Sequence, residues 1–60
     1  MKVGDLVHDS AYGMGGLIIS FSENVRHVGG LNNRYVNVWC VLYEDGSIEE
    51  VFENDIMVVR

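Results

Sequence analysis

Three glycines crowd the stretch Gly13-Met14-Gly15-Gly16, directly ahead of Leu17-Ile18-Ile19. Glycine clusters of this kind can cradle phosphate groups. A phosphate loop needs a helix behind its glycines, so that free N–H groups point at the anion, and commonly a Lys followed by Ser or Thr at fixed spacing. Here Gly16 is followed by Leu-Ile-Ile-Ser-Phe, a strand-type run with no Gly-Lys-Ser after it. The expected role of the glycines is geometric: they permit the backbone angles and close strand approach that a tightly coiled small sheet requires.

Other residues carry reactive groups without the partners that chemistry needs. His8, Asp9 and Ser10 bear the names of a hydrolytic triad in a row, but side chains adjacent on a strand or turn do not face one another as a triad must. Cys40 lies in the apolar run Val38-Trp39-Cys40-Val41, where a thiol packs as a small hydrophobe and lacks a base to activate it. His8, His27 and Cys40 are the soft metal-ligand types, and none falls at a paired spacing. No catalytic residue, metal site, cofactor or small-molecule substrate is expected, and the chain reads as a protein without enzymatic activity.

Binding chemistry is better represented. Arg26, His27 and Arg34 stand among neutral neighbours, and Tyr35, Trp39 and Tyr43 share one parity of a strand. If the other parity faces the core, these three rings form an exposed stripe, a composition common at interfaces. If not, Trp39 and Tyr43 are themselves core. Glu49, Glu50 and Glu53 read as a solvated strand face that guards a sheet edge, or as an acidic patch for a basic partner.

The elements that must position these residues are strands. Each apolar segment is short, rich in Val and Ile, and bounded by Gly, Asn, Asp or Ser. Strands are expected at Asp5 to His8, Gly16 to Ser22, Tyr35 to Tyr43, Ile48 to Phe52 and Ile56 to Val59. In the second, Leu17, Ile19 and Phe21 share one face and Ile18, Ser20 and Ser22 the other, which implies one buried and one partly wet face. Both faces of Tyr35 to Tyr43 are mostly apolar, so a strongly curved strand there could bury parts of each. Asn24 to Asn33, with Gly29-Gly30 and Asn32-Asn33, reads as a long loop; alternatively the glycine pair turns a hairpin, Val25 to Val28 extend the second strand and Leu31 begins the third. Asp45-Gly46 marks a tight hairpin, and Glu53-Asn54-Asp55 a turn or single 3₁₀ turn.

Sixty residues with 48% hydrophobic content make one domain, residues 1–60, whose small core gives modest stability. A single cysteine forms no internal disulfide, so a reducing compartment fits. The apolar runs are only a few residues long, far short of a membrane span, and no membrane association is expected. The net charge of −5 argues against general binding of nucleic acid, although it leaves room for a local basic patch. Residues Glu44 to Asp55 hold six of the nine carboxylates.

The opening Val3-Gly4-Asp5-Leu6-Val7, the stretch Gly13-Met14-Gly15-Gly16-Leu17-Ile18, the segment Val41-Leu42-Tyr43-Glu44-Asp45-Gly46 and the closing Asn54-Asp55-Ile56-Met57-Val58-Val59 resemble small SH3-like barrels of the KOW and Tudor kind. The same pattern is similar to short proteins encoded by tailed bacteriophages. The resemblance covers nearly the whole chain and implies an all-β fold, a small five-stranded antiparallel SH3-like barrel. It further implies a place in host cytoplasm or virion.

Two functions follow as expectations. The first is a noncatalytic protein-interaction module, an adaptor, host-factor modulator or virion accessory protein, with a protein partner or self-association as a homo-oligomer. The alternative is a nucleic-acid-associated, KOW-like module using the Arg26 to Arg34 segment and exposed aromatics. KOW domains commonly use basic loops for RNA, whereas this chain is acidic. Tudor-type relatives hold methylated Lys or Arg in an aromatic cage, for which Tyr12, Trp39, Tyr43 and Phe52 supply rings. The binding residues expected across both functions are Tyr12, Arg26, His27, Arg34, Tyr35, Trp39 and Tyr43.

Overall fold

Runs of β-branched and aromatic residues, punctuated by Gly, Asn and Asp, build five strands and one short 3₁₀ turn. The computed structural model describes residues 1–29 and 32–59, with side chains for 1–26 and 34–59. Strand β1 spans Leu6–Asp9, β2 Met14–Gly29, β3 Asn32–Tyr43, β4 Ile48–Phe52 and β5 Ile56–Val58, with the 3₁₀ turn η1 at Glu53–Asp55. They form one sheet in the order β4-β3-β2-β1-β5, and every neighbouring pair is antiparallel. Among the described residues there is no α-helix, so the all-β expectation holds.

Closure into a barrel is not reached. Strands β4 and β5 are the two edges of the sheet, because η1 redirects the chain after Phe52 and β5 adds to β1 instead of to β4. The loop expected over Asn24 to Asn33 is also not what forms: β2 continues through Gly29 and β3 already begins at Asn32, while Gly30 and Leu31 lie outside the described residues. Tolerance of left-handed backbone is a permission, not a requirement. Positive φ occurs at Gly4, Gly13 and Gly46, each outside this segment. Val25 finds Val36 across the ladder, and the Asn24 amide donates to Asn37 Oδ1 at 2.8 Å, so extended pairing satisfies both backbone and side chains.

The core gathers Val7, Ile18, Trp39, Val41, Tyr43 and Ile56. Its centre is the cross-strand pair Ile18 and Val41, each fully buried and each contributing about 1.5–3 kcal/mol by leaving water. Simple alternation grouped Leu17, Ile19 and Phe21, yet Ile18 is the interior residue, and Ile19 and Phe21 are exposed. Two register shifts explain it: Ile19 and Ser22 have no partner on β3, between the pairs Ile18–Val41 and Ser20–Cys40 and between Phe21–Trp39 and Glu23–Val38. Each extra residue bends β2 and breaks its period. On β3 the interior face changes at the second shift, from Val36 and Val38 to Trp39, Val41 and Tyr43, so this strand buries parts of both faces.

Strand β4 covers β3 only from Val38 to Leu42, and β1 covers β2 only from Met14 to Leu17. Beyond Val38 the hairpin of β2 and β3 continues as a two-stranded arm, and the molecule measures 36 × 22 × 20 Å.

Candidate functional site

Asp9 ends β1 and is buried, 2% exposed. Its Oδ1 accepts N–H groups from Ala11 at 2.9 Å and Tyr12 at 3.3 Å, and its Oδ2 accepts the Tyr43 hydroxyl at 2.8 Å. The carboxylate thus shapes the turn into β2 and ties that turn to β3. Burial first, then the bond to Asp9, pushes the Tyr43 phenol above its ordinary range. His8 is exposed on the opposite face of β1 from Asp9, and Ser10 is exposed in the turn, so the three triad residue types are not brought together.

The glycines serve the backbone. Gly13 adopts φ 68° and donates to Asp9 O at 2.8 Å, closing the turn. Gly16 opposes Tyr43 in the ladder, and a Cβ there would stand 2.5 Å from Val41 Cγ1 and 3.1 Å from Leu42 O. A strand, not a helix, follows, which removes the N-terminal amides that a phosphate loop would need.

Of the aromatic residues singled out from sequence, Trp39 and Tyr43 are interior, at 7% and 3% exposure. The exposed stripe of Tyr35, Trp39 and Tyr43 therefore does not form. The Trp39 indole donates to Glu53 Oε1 at 2.9 Å and meets Phe21 edge-on at 5.1 Å, and Tyr12 meets Tyr43 in the same way at 5.5 Å. Tyr12 remains 57% exposed and lines a hollow of about 250 Å³ with Met14, Tyr43 and Glu49.

The arm brings the remaining candidates together. Arg26 opposes Tyr35, and His27 opposes Arg34 in the backbone register; Arg26, Arg34 and Tyr35 are exposed. The His27 side chain lies outside the described residues. No Asp or Glu occurs from Asn24 to Tyr43.

A feature absent from the sequence pattern lies on the outer face of the sheet. Leu6 opposes Leu17, Leu17 opposes Leu42, and Leu42 opposes Ile48. Directly opposed residues share a face, so these four form one apolar row across β1, β2, β3 and β4, on the side away from Val7, Ile18 and Val41. Leu6 and Ile48 are each 60% exposed, and Leu17 and Leu42 are half-buried. Between Leu6, Leu17 and Leu42 lies a groove of about 360 Å³ bounded by Val59 and Glu44, with Gly15 supplying no side chain to fill it. Only the register reveals this row: Leu6 and Ile48 open their strands, whereas Leu17 lies inside β2 and Leu42 next to the end of β3.

Cys40 is half-buried on this same outer parity. Among the described residues no group of three His, Cys, Asp or Glu side chains converges to hold a metal ion, and no helix is long and apolar enough to cross a membrane. Comparison of the chain with protein-family models, curated proteins and solved structures gave no significant match.

Proposed function

We propose that this chain is a noncatalytic protein-interaction module on an SH3-like scaffold, with Asp45-Gly46 as its tight hairpin, acting as an adaptor, host-factor modulator or virion accessory protein. The observation that carries the proposal is the apolar row Leu6, Leu17, Leu42 and Ile48. Contiguous exposed apolar surface on a small domain marks a contact site, and this one is assembled from four strands in register. The strand order, with β5 beside β1 and β4 at the far edge, is compatible with the scaffold. The test is site-specific photo-crosslinking in the source cells from position 59, exposed at the edge of the groove beside the row, with a control position on the arm. A discrete adduct is expected from position 59, lost in the double variant Leu6→Ser, Ile48→Ser; adducts indifferent to these substitutions would sink the proposal.

A second reading, association with single-stranded nucleic acid, draws on the arm: Arg26 stands opposite the exposed Tyr35, and Arg34 follows on the neighbouring register pair. A cation beside an exposed ring is suited to a phosphate and an unpaired base. Titration of labelled single-stranded RNA and DNA at low salt tests it. Binding should weaken with salt and vanish in Arg26→Ala, Arg34→Ala; no binding at low salt ends this reading.

A further inference from the structure

The geometry points to a partner of particular chemistry for the outer-face groove: a peptide segment that presents apolar side chains flanked by a Lys or Arg. This inference rests on the interaction reading above and specifies its ligand. The groove walls, Leu6, Leu17, Leu42 and Val59, are aliphatic, and they take up side chains without hydrogen bonding. The rim is acidic. Glu44 projects over Gly15, its Oε1 3.1 Å from the place a Cβ on Gly15 would occupy, and Glu50 shares the outer face two register pairs from Ile48, opposite Cys40.

Neither carboxylate is neutralised. Among the described residues the one ion pair joins Lys2 to Asp5, and Glu50 accepts only the Ser22 hydroxyl. His8 faces Gly15 from β1 without an ion pair to Glu44. Outside the arm the chain carries all nine carboxylates against Lys2 and Arg60, so a cationic segment is drawn toward the body of the molecule and an anionic one repelled.

A second copy is the poorer occupant. A stable dimer covers about 800 Å² on each partner, a large share of a total accessible surface of 4282 Å², whereas the row offers four side chains. Two copies meeting through this face would also bring their Glu44 and Glu50 rims together.

The test uses the whole chain labelled with ¹⁵N and two synthetic peptides of alternating leucine and charged residues, one with lysine and one with glutamate. At low salt the lysine peptide is expected to shift the amides of Leu6, Gly15, Leu17, Leu42 and Glu44, and the glutamate peptide to leave them unmoved. Leu6→Ser should weaken the lysine peptide about tenfold, and Glu44→Gln about threefold with loss of most of the salt dependence. Both variants change exposed side chains, and their amide spectra report that the fold is kept. Equal binding of both peptides, binding of neither, shifts confined to the arm, or a Glu44→Gln variant with unchanged affinity and salt dependence would overturn the proposal. Failure here with crosslinking still dependent on Leu6 would remove only the cationic ligand; crosslinking indifferent to Leu6 would remove the interaction surface itself.

Discussion

The hydroxyl of Tyr43, at the end of β3, donates a 2.8 Å hydrogen bond to Oδ2 of Asp9, at the end of β1, and both residues are buried. Two strands that are not neighbours in the sheet are thereby joined through side chains across β2. Tyr43→Phe keeps the ring and removes the donor, leaving a buried carboxylate oxygen unmatched. The expected cost is about 1–3 kcal/mol, read as a lower midpoint in urea with an unchanged slope. An unaltered midpoint would show the bond to be dispensable.

The same pair sets an alkaline limit. Because the Tyr43 phenol is raised in the folded state, the unfolded chain releases this proton first as pH rises. Stability is therefore full below the ordinary phenol range of about 10 and declines as pH climbs from there toward the folded value. Titration followed by tyrosine absorbance and circular dichroism should show ionisation of Tyr43 only together with loss of the sheet. A phenolate phase of Tyr43 within an intact fold would contradict this.

Gly15 and Gly16 should respond differently to the same substitution. At Gly16 the new methyl meets Val41 Cγ1 at 2.5 Å and the Leu42 carbonyl at 3.1 Å, in the middle of the core ladder. Gly16→Ala is expected to cost about 1–3 kcal/mol as overpacking. At Gly15 the nearest atom is Glu44 Oε1 at 3.1 Å, on an exposed side chain that can swing aside, so Gly15→Ala should change stability by under about 1 kcal/mol. Thermal melts of the two variants in parallel provide the comparison.

Glu53 holds the Trp39 indole N–H at 2.9 Å and accepts the Asn37 amide at 3.5 Å. Glu53→Ala should leave that N–H unsatisfied at about 1–3 kcal/mol. Fluorescence reports the site directly: the native indole should emit at short wavelength and resist acrylamide, and the variant should shift to the red. Ready quenching of native Trp39 would contradict its burial.

Much of this architecture was legible in the residues. The run Tyr35 to Tyr43 and the Ile48 to Phe52 run announce strands through β-branched and aromatic content, and the missing lysine and helix after Gly16 exclude a phosphate loop. The placement of Ile18 was not legible, because the shifts at Ile19 and Ser22 are properties of a pair of strands and leave no mark on one strand's alternation. Trp39 was ambiguous for the same reason: its face depends on where β3 changes its interior side. Asp9 drew notice only as one of the triad residue types in His8-Asp9-Ser10, and only the fold reveals its bond to Tyr43. The row from Leu6 to Ile48 needed three registers at once, none of which periodicity supplies.

The pairing of β1 with β5 has a kinetic consequence. Val7 meets Val58 near opposite ends of the sequence, whereas Gly29 meets Asn32 across a span so short that closing it costs little chain entropy. The central hairpin can therefore nucleate assembly, and the β1–β5 seam is the last to zip. In stopped-flow experiments, Val58→Ala should quicken unfolding and leave the refolding rate almost untouched, while Val41→Ala should slow refolding.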